Sequence, residues 1–263
     1  MIKVCVAGAT GRMGSTIIQE AVDRDFKVVG AVAAPEDPGQ GKTLSELGLC
    51  DSQVKVVDPS QLEEAVHEAQ VYISFTAPQA EMKNLPVVAE TGTKIVMGTT
   101  GFTQDQMIHL RGVVSSRVPA VFAPNFAIGI NLLFRILKNL ESLPPDYDIS
   151  VIEAHHSKKR DAPSGTAKAL ADTISEIRGY QSQVHCRNGL GPRKPGEMEV
   201  VSVRAGGIPG VHTIIAAGPY EIIEIKHTSF SRRVFAQGAL YVAQWIVKQS
   251  QPGVYSLDEI LNS

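Results

Sequence analysis

The chain has 263 residues, enough for one large domain or two modest ones. With 43% hydrophobic and 20% charged residues, it has the composition of a globular protein with a real core. A formal charge of -2 removes the electrostatic case for a nucleic-acid partner, and no stretch reaches the roughly 18 apolar residues of a membrane helix.

Ile2–Ala7 is a short β-branched apolar run, the pattern of a buried parallel strand. Glycines follow at Gly8, Gly11 and Gly14, and Ile17, Ile18, Ala21 and Val22 then recur at helical spacing. Residues 27–33 form a second apolar run. Alternation continues with a strand at 54–57 and a helix over 58–67, capped by Asp58 with Pro59 at its first position. A strand at 71–75, a helix over Pro78–Glu90 and a strand at Lys94–Met97 come next. Thr103 and Gln106 make a capping-box signature before a helix to about residue 116, and 120–123 reads as a further strand. Strands alternating with helices predict a mainly parallel, doubly wound sheet.

The pattern changes after Asn125. Residues 127–143 read as a helix stopped by Pro144-Pro145, and Asp148–His155 reads as a strand. A polar loop leads to a helix that ends near Arg178. Residues 187–197, rich in Gly, Pro and charge, read as a mobile loop. Strands are expected at 200–206, 211–217 and 221–229, then a helix over 235–248 and a short tail. Consecutive long strands with short turns predict an open, partly antiparallel sheet. The expected architecture is therefore α/β: a Rossmann-type dinucleotide-binding domain (1–126 plus 235–263) and an α+β domain on an open mixed sheet (127–234).

Gly8-Ala9-Thr10-Gly11-Arg12-Met13-Gly14 joins a strand to a helix. Missing side chains let backbone approach a pyrophosphate, and the helix start offers free N–H groups and a positive dipole end. Phe75-Thr76-Ala77-Pro78 and Gly98-Thr99-Thr100-Gly101 stand at carboxyl ends of strands, where small residues and hydroxyls suit a ribose or nicotinamide. The segment from Glu153 to Ala167 packs two histidines and three cations into His155–Arg160 (155–160), just before Ser164-Gly165-Thr166 opens a helix. Adjacent histidines at a strand end point to opposite faces, so no metal is expected there. Cations, an imidazole and a helix start make a carboxylate pocket with an acid beside it. A phosphate pocket would look similar, so this segment alone leaves the substrate open.

Cys5, Cys50 and Cys186 are far apart and form no CxxC pair, which suits reduced thiols. The N-terminus lacks a cationic region followed by a long apolar one, and a soluble cytoplasmic protein is the expectation.

The run E-A-H-H-x-x-K-x-D-A-P-S-G-T-A resembles the signature of the dihydrodipicolinate reductase family. The glycine turn, Phe75-Thr76, Gly98 to Phe102, Ala123-Pro124-Asn125-Phe126, Val203 to Gly206, His227 and Ser231-Arg232 agree in order. The resemblance spans essentially the whole chain. It implies reduction of (2S,4S)-4-hydroxy-2,3,4,5-tetrahydrodipicolinate to (S)-2,3,4,5-tetrahydrodipicolinate with loss of water, using NADPH or NADH, in the diaminopimelate route to L-lysine. It further implies His155 as general acid/base and Lys159 as proton donor, with His156, Ser164, Gly165 and Thr166 holding a small dicarboxylate. Gly8, Ala9, Thr10, Gly11, Arg12, Met13, Gly98, Thr99, Thr100, Ala123, Pro124, Asn125 and Phe126 would contact the dinucleotide, and the assembly would be a homotetramer.

The chain departs from the pattern in places. Ala34 stands where many relatives carry the acid that binds the adenosine ribose, with Glu36 and Asp37 slightly beyond. Lys42 follows a Gly39-Gln40-Gly41 turn, and use of both cofactors, NADPH favoured through Lys42, is the expectation. Ala77 and Ala127 replace more polar residues. An aspartate-type dehydrogenase would share the first half without the His-His-Lys loop, and a dinucleotide sensor would need no acid/base cluster.

Overall fold

The computed structural model describes residues 1–262. Two compact units divide the chain, Met1–Ala127 with Arg232–Ser263, and Ile128–Ser231. The first unit begins with β1 (Ile2–Ala7), α1 (Arg12–Val22), β2 (Phe26–Val32) and β3 (Val56–Val57). A 3-10 turn at Pro59–Gln61, α2 (Leu62–Val66), β4 (Val71–Ser74), α3 (Pro78–Glu90), β5 (Lys94–Met97), α4 (Gln104–Ser115) and β6 (Pro119–Phe122) follow. The second unit holds α5 (Ile128–Leu137), a 3-10 stretch at Lys138–Ser142, β7 (Asp148–His155), α6 (Gly165–Arg178), β8 (Ser182–Val184), β9 (Glu197–Arg204), β10 (Gly210–Ala217) and β11 (Ile222–Ser229). The chain then returns to the first unit as α7 (Arg233–Ile246), β12 (Gly253–Tyr255) and α8 (Leu257–Leu261).

The first unit is built on a seven-stranded sheet in the order β12-β6-β5-β4-β1-β2-β3, with every pairing parallel. A strand sends successive side chains to opposite faces. On β1, Val4 and Val6 accordingly join a core with Ile17 and Ile18 of α1 and Leu240 and Ala243 of α7. Cys5 and Ala7 join a second core with Leu62 of α2, Leu85 of α3 and Leu110 of α4. The sheet is thus covered on both sides, which is why its strands read as continuous apolar runs. Gly238 lets α7 come close: a Cβ there would stand 1.7 Å from the Phe126 carbonyl oxygen.

The second unit carries a five-stranded mixed sheet, β11-β10-β7-β9-β8. The β7–β9 and β8–β9 pairs are parallel, and β10 runs antiparallel to both β7 and β11. The α/β class and the open mixed sheet agree with the sequence reading.

Several boundaries differ from it. Asp58 caps as expected, accepting from Ser60 N at 2.6 Å, but its first turn is 3-10 and α geometry starts only at Leu62. The helix expected over 127–143 tightens to 3-10 after Leu137. Leu143, the residue before Pro144, is extended, as proline imposes on its predecessor. Arg178 satisfies the freed carbonyls, donating to Leu140, Leu143 and Pro144. The strand expected from residue 200 begins at Glu197, and β8, β12 and α8 were not expected.

Candidate active site

The glycine turn is a candidate binding site of the first unit. Gly8 has φ +73°, a left-handed conformation that L side chains rarely adopt, and a Cβ there would stand 2.5 Å from the Phe75 carbonyl oxygen. At Gly14 a Cβ would lie 2.0 Å from the Gly8 carbonyl oxygen. Gly11 caps α1 without any side-chain hydrogen bond, so the first N–H groups of that helix face outward uncapped. This cradle fits a dinucleotide pyrophosphate, and side chains would fill it.

Neighbouring loops complete this side. The Thr10 hydroxyl donates to Asp37 Oδ2 at 2.6 Å, and Gly39 N donates to Asp37 Oδ1 at 2.8 Å. Asp37 therefore reaches the glycine turn. Lys42 is exposed, and its backbone closes the turn by donating to the Gly39 carbonyl. Gly98 leaves room for the Phe75 ring, which lies 2.1 Å from where a Cβ would stand, and that ring packs edge-on against Phe126 at 5.7 Å. Asn125 Oδ1 accepts from Ala127 N at 2.8 Å, so the amide group shapes its own loop. Ala9, Thr99, Ala123 and Phe126 are buried, whereas Arg12, Thr100 and Pro124 are exposed.

The second unit has its own polar cluster, on one face of the mixed sheet. Glu153 and His155 are two apart on β7 and share a face. Register sets Glu153 opposite His212 of β10 and Ser202 of β9, and His155 opposite Arg204. Glu153 is completely buried, and its carboxylate accepts from Arg204 Nη2 at 2.7 Å and Nη1 at 2.8 Å. The His155 Nδ1 lies 2.5 Å from Glu153 Oε2, and Ser164 N donates to Oε1 at 3.1 Å. Burial alone would raise the Glu153 carboxyl, but Arg204, His155, Ser202 and Ser164 outweigh it and hold it down at about 2. An ionised Glu153 makes Nδ1 of His155 the proton-bearing nitrogen and leaves Nε2 as the exchanging one. That nitrogen abuts Gly210, where a Cβ would stand 3.2 Å away.

His212 packs edge-on against His155 at 5.3 Å. Burial, followed by the charge of His155, pushes His212 down to about 4, so it is neutral at physiological pH. Ser164 caps α6: its hydroxyl accepts from Ala167 N at 3.1 Å and lies 3.3 Å from His212 Nε2. Its side chain is thus committed to the scaffold, while Gly165 is exposed and Thr166 half-buried at the helix start. Lys159 Nζ pairs with Asp161 Oδ1 at 2.8 Å. The Asp161 carboxyl is held below its usual range by Lys159 first and also by the Gly165 backbone. Asp161 is thus a half-exposed carboxylate held by Lys159 in the loop before α6. His156 is half-buried just beyond the end of β7.

Glu153 and Arg204 stand in quoted motifs but carry no role in the sequence reading, and His212 stands in none. Arg204 and His212 follow Glu153 by 51 and 59 residues and meet it only through strand register. Among the described residues, no group of three or more His, Cys, Asp or Glu could hold a metal ion, and no helix is long and apolar enough to cross a membrane.

Comparisons with known proteins agree across the chain. Residues 2–126 match the family model "Dihydrodipicolinate reductase, N-terminus", and residues 129–261 match "Dihydrodipicolinate reductase, C-terminus". The 4-hydroxy-tetrahydrodipicolinate reductase of Methanosarcina barkeri is 41% identical, with 99% of each chain covered. That of Archaeoglobus fulgidus is 38% identical, covering 99% of this chain and 100% of its own. Among solved structures, dipicolinate-bound dihydrodipicolinate reductase from Paenisporosarcina sp. TG-14 shares the fold, with a TM-score of 0.78 at 24% identity and 99% of both chains covered. An amine dehydrogenase from Mycobacterium smegmatis superposes with a TM-score of 0.67 at 12% identity, covering 98% of this chain and 95% of that one.

Proposed function

This chain belongs to the dihydrodipicolinate reductase family, and on that premise we propose that it reduces 4-hydroxy-tetrahydrodipicolinate to tetrahydrodipicolinate with a nicotinamide dinucleotide. It is an oxidoreductase with a nicotinamide-dinucleotide-binding fold. The observation that carries the substrate reading is the cluster of Glu153 and His155 beside Lys159 and the start of α6.

With the dinucleotide's pyrophosphate held at the glycine turn, its reduced nicotinamide would supply a hydride. The remaining steps belong to side chains of this protein. A substrate carboxylate sits against the Gly165 and Thr166 N–H groups at the start of α6, with His156 and Lys159 beside it. Lys159 then holds a proton ready for the electron-rich product. Glu153 keeps His155 oriented through Nδ1, leaving Nε2, beside Gly210, to exchange a proton with the substrate. His212, neutral and edge-on, adds no competing charge.

Asp37 bears on cofactor choice. Its carboxylate at the end of the glycine turn accepts ribose hydroxyls and repels a 2′-phosphate, which supports NADH over NADPH. Among the described residues, Lys42 is exposed and makes no bond to Asp37 or the glycine turn. A homotetramer formed through the mixed sheet is part of the same reading: Val203, Ile222 and Ile223 are apolar and exposed on its strands.

Oxidation of each cofactor with substrate made in situ from pyruvate and aspartate semialdehyde tests the proposal. Turnover that depends on the complete mixture is the expected result. Dinucleotide binding without turnover of that substrate would overturn it.

A further inference from the structure

Beneath the threonine loops of the first unit lies a carboxyl that the proposed reaction does not use. Glu81, in the first turn of α3, is completely buried. Its Oε1 accepts from Thr76 Oγ1 at 2.5 Å and from Thr99 Oγ1 at 3.3 Å. Thr99 Oγ1 in turn accepts from Thr76 N at 2.8 Å. Glu81 thereby fastens the loop after β4 to the loop after β5. Its other oxygen, Oε2, has no partner of good geometry, and neither has its buried neighbour Ser74 Oγ.

No charged side chain acts on this carboxyl. The groups facing it are the hydroxyls of Thr76, Ser74 and Thr99 and the phenol of Tyr72 on β4. Cys5 of β1 faces the same phenol, and Asn84 of α3 donates to it at 3.4 Å. Tyr72 and Cys5 stay neutral: burial raises the phenol well above its ordinary value and the thiol to about 12. Glu81 alone among these titrates near neutrality. Burial pushes it up to about 7 against the opposing pull of the Thr76, Ser74 and Thr99 hydroxyls. A carboxyl so poised responds to any new charge placed across the two threonines, and Thr76 is half-buried with Thr100 exposed on that side.

We propose that Glu81 is a positioning residue for the nicotinamide end of the dinucleotide, and that its carboxyl gains or loses a proton in step with the charge of the ring held by the Thr76 and Thr99 loops. This rests on reading those loops as the nicotinamide side of the cofactor site. The oxidised ring is a cation and the reduced ring is neutral. A cation favours the carboxylate, and by reciprocity the carboxylate favours the oxidised dinucleotide. The proton leaves Glu81 for solvent when the oxidised form binds, and nothing is oxidised or reduced in that exchange.

Calorimetric titration of the whole protein with NAD+, NADH, NADP+ and NADPH, in buffers of different ionisation enthalpy, counts the protons directly. Near pH 7 the wild type should release a measurable fraction of a proton more with an oxidised than with a reduced cofactor. Its preference for the oxidised form should grow several-fold between about pH 6 and about pH 8.5, since one pKa unit of coupling is about tenfold in affinity. Glu81→Gln retains an oxygen for the threonine hydroxyls but cannot titrate, and it should lose both effects. Equal proton counts for the two redox forms in the wild type would overturn the proposal whether or not the variant folds. Unchanged pH dependence in a folded Glu81→Gln would do the same. Failure of the wild type to bind any dinucleotide would instead remove the cofactor reading on which the proposal rests.

Discussion

Glu153→Gln tests the central claim about the polar cluster, that one buried carboxylate organises it. Four donors converge on Glu153: two guanidinium nitrogens of Arg204, His155 Nδ1 and Ser164 N. A fall in pKa from 4.5 to about 2 is worth about 3 kcal/mol of stability at neutral pH. The Arg204 side chain keeps 18% of its surface in solvent, and screening there reduces the share to about 2 kcal/mol. Because the folded pKa lies below the unfolded one, this contribution is complete above about pH 4.5 and is lost as pH falls toward 2. Glutamine keeps the shape but leaves the Arg204 guanidinium without an anion. The variant should be about 2–4 kcal/mol less stable at pH 7. It should also lack the wild-type loss of stability between about pH 4.5 and 2. Urea unfolding followed by circular dichroism across that range measures both, and the coupled assay should show kcat reduced at least about tenfold as His155 loses its orienting acceptor. Equal stability at pH 7 together with parallel acid limbs would refute the reasoning.

Other substitutions probe separate parts. Lys159→Met should lower kcat by about 10²–10⁴ while NADH affinity, read by fluorescence, stays near wild type. Near-normal turnover would reduce the loop to a solvated basic surface. Asp37→Asn should shift the NADPH/NADH ratio of kcat/KM toward NADPH by about tenfold, with Lys42→Ala leaving it unchanged; the reverse pattern would restore the Lys42 reading. Gly14→Ala places a Cβ 2.0 Å from the Gly8 carbonyl oxygen, so dinucleotide binding should fall by at least about tenfold in the same titration. Light scattering should report a tetramer, and a stable monomer at micromolar concentration would exclude assembly through the mixed sheet.

The residues most legible in the sequence were those whose role is local. Val4, Val6 and the glycines after them announce a buried strand and an open turn within a few positions. The capping box of Thr103 and Gln106 forms as expected, with bonds of 3.2 and 2.9 Å. What escaped depends on distant partners. β12 has three residues, and its strand character comes from pairing with Pro119, Ala120 and Val121 of β6. α8 carries a local signal of its own, the capping box of Ser256 and Glu259. Arg204 reaches Glu153 across 51 positions, and no periodicity encodes that meeting. Asp37 was noticed beside Ala34, but its turn back to Thr10 depends on the Gly39 amide and could not be read from spacing.

The discontinuity of the first unit has a consequence for how the chain emerges from the ribosome. β1 to β6 are synthesised early, yet the helix that lies over β4, β5 and β6, α7, follows only after about a hundred further residues have been made. Until then one side of the parallel sheet lacks the cover supplied by Ala236, Leu240, Ala243 and Ile246. A nascent chain stopped before Arg233 would present that apolar side and the unpaired edge of β6 to solvent. Chains that stop there should therefore be chaperone-bound or degraded rather than a working half. Synthesis order makes α7 the step that commits the parallel sheet.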